Sequence, residues 1–162
     1  MQAAVMTTIR MVEPADADVC VEVLAELPEF FTPDTHDDVR AGVVKGRGWV
    51  AVDGDSVVGF VLVEMRFPAS AEVTYAAVRP TRRRSGIGTA LIDVVLSELA
   101  RLGVAVVEVK TLDASAGYEP YVATRAFWEN CGFRQIDCID PLPGWQPGNP
   151  SAIYVAALSA TR

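Results

Sequence analysis

The sequence predicts a mixed α/β chain, a mostly antiparallel central sheet of about seven strands with helices on both faces. Three observations carry that expectation. Short β-rich segments between Trp49 and Val78, separated by turn residues, read as an antiparallel meander. A helix with apolar periodicity follows from Gly86 and leads to another apolar segment, which makes a strand-helix-strand crossover. A second helix, 121–130, then precedes two closing strands. This order fits one domain, 1–162, with residues 1–6 as a loose extension, and a chain of 162 residues encloses a full core.

Each element has a local cause. Thr8 to Val12 reads as the first strand, ended by Glu13-Pro14. Pro14-Ala15-Asp16 opens a helix with acidic residues in its first turn and apolar Val19, Val23, Leu24 and Leu27 at helical spacing. After the loop Leu27 to Pro33, a second helix runs through Val39 and Val43. Trp49 to Val52 and Val57 to Arg66 form a hairpin on Asp53-Gly54-Asp55, and Ala71 to Val78 continues the meander. The next helix carries Ile87, Leu91, Val95, Leu99 and Leu102 on one face and stops at Gly103. Val104 to Val109 is nearly all apolar, as a strand covered on both faces requires. Tyr121 to Asn130 is a helix stopped by Cys131-Gly132, followed by strands Phe133 to Ile139 and Ile153 to Leu158 around a Pro- and Gly-rich loop, 140–150.

Composition narrows the function. The formal net charge of -7 disfavours a general nucleic-acid binder, which needs a broad basic face, and favours cationic partners. No apolar stretch is long enough to span a bilayer, and the start lacks the charged and apolar regions of a signal peptide. Three cysteines, Cys20, Cys131 and Cys138, leave one unpaired in any disulfide scheme, and none has metal-ligand spacing. The expectation is a cytoplasmic protein with reduced thiols, no metal and no membrane or nucleic-acid partner.

Against that acidic background, Val78 to Leu91 is strongly basic: VRPTRRRSGIGTAL holds Arg79, Arg82, Arg83 and Arg84 with Gly86 and Gly88 between a strand and a helix. Glycines there let the backbone approach a ligand, and the first N–H groups of the helix point out as anion donors. Four arginines around one helix start would repel each other without an anion. A dinucleotide fingerprint needs a third glycine where Leu91 stands, and a Walker loop needs Gly-Lys-Ser/Thr where Gly86-Ile87-Gly88-Thr89 stands. The pattern suits a pyrophosphate of another kind.

Val78-x-Pro80-x-x-Arg83-x-x-Gly86-x-Gly88 resembles the acetyl-CoA-binding signature of the GNAT superfamily of N-acyltransferases, and the element order is similar to that fold from residue 8 to residue 158. Ala126 to Phe133, a helix ending in aromatic residues and Gly-Phe, resembles the second motif of the family. The resemblance implies acetyl-CoA as acyl donor and no metal. The backbone of Val78, Arg79 and Pro80 would hold the pantetheine arm, and Arg83, Arg84, Ser85, Gly86, Ile87, Gly88 and Thr89 would wrap the pyrophosphate. Dimers are frequent among members, so a homodimer is within the expectation.

Amine acetylation requires an unprotonated nucleophile, a polarised thioester and a proton for the leaving thiolate. Glu72, six residues before Val78, resembles the glutamate that acts through water in histone-acetylating members; the alternative is a solvated strand-end residue. Glu64 and Arg66 on the neighbouring strand line the same cleft or face water. Where many members carry a proton-donating tyrosine this chain has Trp128, whose indole has no acidic proton to give, and where many carry an asparagine it has Tyr121. Tyr121 or Tyr118 then supplies the proton from another direction, or the thiolate departs as an anion; packing aromatics are the alternative for both. Cys131 and His36 form no dyad, Phe127, Trp128 and Phe133 belong to the core, and Arg125 suits a structural ion pair.

The acceptor in this fold approaches between the first two helices and the late loop. Phe31, Trp145 and Asp140 are the candidates there, aromatic and acidic groups that suit a cationic amine, or else a charged rim with one packed tryptophan. Two functions fit: an acetyltransferase acting on a small-molecule amine or a peptide amine in a ternary complex, and a catalytically degenerate acyl-CoA-binding sensor or interaction module.

Overall fold

A computed structural model describes residues 7–159. Its strands are β1 Thr7–Met11, β2 Gly48–Asp53, β3 Ser56–Phe67, β4 Ser70–Val78, β5 Val106–Leu112, β6 Arg134–Ile139 and β7 Ser151–Ala157. Its helices are α1 Ala17–Ala25, α2 Thr35–Val44, α3 Ile87–Arg101 and α4 Tyr121–Asn130. The strands form one mixed, mostly antiparallel sheet in the order β1-β2-β3-β4-β5-β7-β6. The parallel pair is β4·β5, from Ser70↔Val106 to Val73↔Val109, and parallel neighbours need a crossover, which α3 supplies. Met1 to Met6, expected to be a loose extension, lie outside the described residues.

The chain divides into two compact units. The first takes the described residues up to Glu64 together with Thr74–Ser97. Its core joins Val23, Leu24 and Leu27, Val39 and Val43 on α2, and Val50, Phe60 and Leu62 on β2 and β3, each at most 2% exposed. Apolar side chains at helical spacing on α1 and α2 meet strand residues two apart on β3, so both periods end on one core. Asp16 fixes the start of α1: its carboxylate accepts both Arg10 Nη atoms at 2.8 and 2.9 Å and the Glu13 N–H at 2.7 Å. Those bonds, Arg10 first, hold Asp16 below the usual carboxylate range despite its burial. The β2–β3 hairpin turns on two residues, with Gly54 at φ +61°, the conformation such short loops demand. Gly59 on β3 is needed for close packing: a Cβ there would meet the Ala77 carbonyl at 2.9 Å and the Leu91 side chain at 3.4 Å.

The second unit takes Met65–Val73 and the described residues from Glu98 on. β5 departs from the expectation of a strand covered on both faces. It starts at Val106, which is 41% exposed, and burial then alternates through Val107, Val109 and Thr111, because Glu108 and Lys110 point to the other face. Leu102, expected on the buried stripe of α3, is half exposed just past the end of the helix at Arg101. Trp128 and Phe133 meet edge to face at 5.2 Å and are buried, beside Tyr154, whose hydroxyl donates to Glu129 at 3.3 Å. β6 is an edge strand exposed along its whole length and bulged between Gln135 and Asp137.

Candidate active site

The basic loop lies in the first unit and takes its shape from two backbone reversals. After β4, Pro80–Arg82 make one 3-10 turn, Arg83 is extended, Arg84 has φ +61° and Gly86 has φ +81°. Two left-handed residues within three turn the backbone sharply ahead of the helix, and Arg84 holds a conformation that costs a non-glycine residue energy. Fifteen-residue α3 starts at Ile87, which is buried with Leu91, Ile92 and Val95 and so anchors the helix end. Its first-turn N–H groups have no carbonyl of the helix to bond and carry its positive dipole end. Gly86 has open space within 4 Å of where a Cβ would stand, so its surroundings leave room for a ligand.

The arginines do not behave as a mutually repelling cluster, because three of the four have carboxylate partners. Arg79 Nη1 donates to Glu26 at 2.9 Å, its Nε donates to the Val57 carbonyl at 2.8 Å, and Glu22 lies 3.9 Å away. Arg82 pairs with Asp53. Arg83 Nη2 lies 3.8 Å from Glu29 and its guanidinium is 5.3 Å from the Phe30 ring centroid. No carboxylate partner accompanies Arg84 among the described residues. Beside the backbone N–H groups of the loop stand Arg84 and the loosely held Arg83. Arg79 is instead a bolt onto α1, and its N–H, expected to face the coenzyme arm, donates to the Val58 carbonyl at 2.8 Å.

Phe31 stands on the same unit with a partner that sequence reasoning missed. Its ring is 6.3 Å from that of Tyr75, whose hydroxyl donates to Asp38 at 3.2 Å. Burial first, then the negative charges of Asp38 and Asp34, push the Tyr75 phenol up to about 12, so it stays a donor at neutral pH. The usable signal was Asp34, Asp37 and Asp38 at the start of α2 with an aromatic on the strand after Thr74. Phe31, Tyr75 and Asp38 together offer ring faces and a carboxylate, the groups that hold an ammonium.

The second unit holds the remaining candidates. Glu72 is 6% exposed, not a solvated strand end. Arg66 Nε donates to its Oε2 at 2.8 Å, and Arg66 Nη2 donates to the same oxygen. Lys110 Nζ lies 3.4 Å from Oε1 and equally 3.4 Å from Glu108. Glu72 and Glu108 are register partners, and like charges side by side would repel, so Lys110 between them compensates both. Arg66, given a choice between the cleft and water, turns to Glu72.

Tyr118, Tyr121 and Trp145 come together with Leu112, Ala116, Gly148 and Asn149 around a cleft of about 430 Å³. The two tyrosine rings are 5.9 Å apart. Burial, then Tyr118, pushes the Tyr121 phenol up, which keeps it protonated. Asp140 accepts the Gly148 N–H at 3.0 Å and so closes the 140–150 loop that carries Trp145. Trp128, at 4% exposure, is the core residue expected. Among the described residues Arg125 does not enter the structural ion pair expected of it: Nη1 donates to the Leu112 carbonyl at 2.9 Å. Cys20 is buried and its thiol pushed up to about 12, far from a reactive thiolate. Among the described residues no helix is long and apolar enough to cross a membrane.

Solved structures share this architecture. A GNAT-family protein from Desulfovibrio desulfuricans superposes with a TM-score of 0.84 at 23% identity, covering 95% of this chain and 100% of that one. A ribosomal-protein alanine N-acetyltransferase from Escherichia coli gives 0.76 at 19% identity, with 97% of each chain covered. An aminoglycoside 6'-N-acetyltransferase complexed with coenzyme A gives 0.73 at 21% identity, covering 96% and 99%. No curated protein is significantly similar in sequence. The sequence model of the acetyltransferase (GNAT) domain matches residues 45–135, more than half of the chain and inclusive of the whole basic loop. The chain belongs to the GNAT family of acetyltransferases.

Proposed function

We propose that the protein transfers an acetyl group from acetyl-CoA to a primary amine of a small cationic molecule or peptide, by direct attack in a ternary complex. One observation carries the reading: left-handed Arg84 and Gly86 lead straight into the N-terminus of α3, whose unpaired N–H groups suit a pyrophosphate. Ser85 to Thr89 hold the phosphates there, with Arg83 and Arg84 adding charge. Acetyl-CoA supplies the activated thioester when bound. That a structural neighbour is complexed with coenzyme A, and that neighbours are named as acetylating aminoglycosides and a ribosomal protein, supports both donor and amine acceptor.

In this reading Glu72 takes a proton from the substrate ammonium through water, and the free amine so formed attacks the thioester carbonyl. Both Arg66 bonds fall on Oε2, and Oε1 meets Lys110 only loosely at 3.4 Å, so Oε1 keeps the capacity to accept from a water. Tyr121, protonated and ringed by Tyr118 and Trp145, gives the proton to the departing thiolate. Trp145 offers a ring face to the acceptor, and Asp140 contributes by holding the loop of Trp145. Thiol release from acetyl-CoA, followed across polyamines, aminoglycosides, amino acids and peptides, tests the reading. Release that depends on one class of amine is the expected result, and no release with any of them contradicts it.

Burial of Trp128, at the position where many members carry a tyrosine, favours a second reading, a degenerate acyl-CoA-binding module. Tight acetyl-CoA binding with neither hydrolysis nor amine-dependent thiol release would support it.

A further inference from the structure

Two loops of the second unit frame the cleft of Tyr118, Tyr121 and Trp145, and Asp113 ties both of them down. Its carboxylate accepts the Ser115 N–H at 3.0 Å and the Ser115 hydroxyl at 2.6 Å, which shapes the turn leading to Tyr118. Its own N–H donates to the Pro150 carbonyl at 2.9 Å, which fixes the end of the loop that carries Trp145. Within that loop Trp145 N–H donates to the Leu142 carbonyl at 2.9 Å, and Asp140 accepts the Gly148 N–H. The walls are therefore set by the fold itself, and about 430 Å³ is the size of a small-molecule site.

The lining carries no charge. The chain has 21 Asp and Glu, yet among the described residues none lines this cleft, whose polar groups are two phenols, an indole and the Asn149 amide. A polyamine or an aminoglycoside would press several ammonium groups against such walls, and each would lose water without gaining a carboxylate. One ammonium can rest on a ring face; several need counter-charges. Burial already penalises charge around Tyr121, whose phenol it pushes up. A flat uncharged ring escapes that penalty. The Tyr118 and Tyr121 rings, 5.9 Å apart and tilted by 47°, stand at the separation at which aromatic rings pack, and Tyr118 is 42% exposed, so ring surface is left for a ligand to cover.

We infer that the acceptor is an arylalkyl monoamine, whose ring packs among Tyr118, Tyr121 and Trp145 and whose single amine is acetylated. This rests on the proposed acetyl transfer and names the substrate class of that site. The C–N bond forms as the thioester C–S bond breaks; one ammonium proton leaves through Glu72 to water and a second ends on the coenzyme thiol. Trp145 is then the residue that sets specificity, since it brings the largest ring to the cleft.

Thiol release from acetyl-CoA, compared for phenethylamine and tryptamine against spermidine, an aminoglycoside and a non-aromatic peptide, tests this. The aryl amines should give the higher kcat/KM by about 10-fold or more, the worth of an aromatic contact with its buried surface. Trp145→Ala should raise KM for phenethylamine about 10-fold with kcat much less changed, and Trp145→Phe, which keeps a ring, should restore most of the loss. A higher kcat/KM for any of the non-aromatic amines would overturn the inference and leave acetyl transfer standing, as would an aryl preference that Trp145→Ala leaves intact. No thiol release from any of the amines, with or without calorimetric binding of acetyl-CoA, would overturn the acetyl-transfer reading and this inference together.

Discussion

Glu72 and Arg66, six residues apart in sequence, share one carboxylate oxygen: Nε and Nη2 of Arg66 both donate to Oε2, and Oε1 faces Lys110. The strand thus carries a carboxylate kept buried by its cations, with one oxygen still able to accept. Replacing Glu72 by Gln keeps an acceptor for Arg66 and removes the base. We expect kcat/KM for the amine to fall by about 100-fold or more, the usual contribution of a general base, with acetyl-CoA affinity unchanged by calorimetry. Near-wild-type turnover would assign Glu72 a purely structural pairing role.

Arg84 sits at φ +61°, where a side chain other than glycine is strained. Arg84→Gly should stabilise the fold by about 0.5–1 kcal/mol, the relief of strain less the added freedom of the unfolded chain. The same change should weaken acetyl-CoA binding by removing a charge beside the cradle. Denaturant midpoints and titration calorimetry read the two effects separately, and a variant both less stable and equally tight would contradict the assignment.

Tyr121 lines its cleft with Tyr118 and Trp145 and stays protonated. Tyr121→Phe should lower kcat by about 10- to 100-fold, a fraction of a general-acid contribution because thiolates leave readily. Tyr118→Phe should cost less. Full turnover in both variants would mean that the thiolate departs without a protein acid.

Asp113 caps the turn after β5. The Ser115 hydroxyl and N–H, in that order, then Gln135, lower its pKa to about 2 against an ordinary 3.8. A depressed carboxylate stabilises the fold above its unfolded pKa and loses that contribution as pH falls through the folded value. Asp113→Ala should therefore cost about 1 kcal/mol at pH 7, as cap removals do, and the difference from wild type should vanish between about pH 4 and 2. Urea melts across that range check it.

Local signals located elements well and long-range partners poorly. α4 begins at Tyr121 and ends at Asn130 as expected, because Pro120 and Cys131-Gly132 bound it in sequence. The start of β5 was misplaced because Val104 and Ala105 continue its apolar run ahead of the strand, Val104 N–H turning back to the Leu99 carbonyl at 3.0 Å. The bend of the basic loop was legible from Gly86, which takes the left-handed backbone expected of a glycine there. Its charge compensation was not, since Arg79 meets Glu26 across 53 positions and Arg82 meets Asp53 across 29. The Arg66-Glu72 pair was closer to reach, lying on either side of the Pro68-Ala69 turn. Tyr75 escaped notice because its partners, Phe31 and Asp38, are fixed by packing of the α1–α2 segment rather than by any local pattern.

The central claim is that the loop before α3 binds the coenzyme, and calorimetric titration of acetyl-CoA into wild type and Gly88→Asp tests it most directly. Gly88 is the second residue of α3, where an aspartate favours the helix, so the variant should fold at least as well as the parent. The added carboxylate would stand where the pyrophosphate belongs. Saturable binding to wild type, weakened roughly tenfold or more in Gly88→Asp, is the predicted result; equal affinity in the two proteins, or no binding to either, would contradict it.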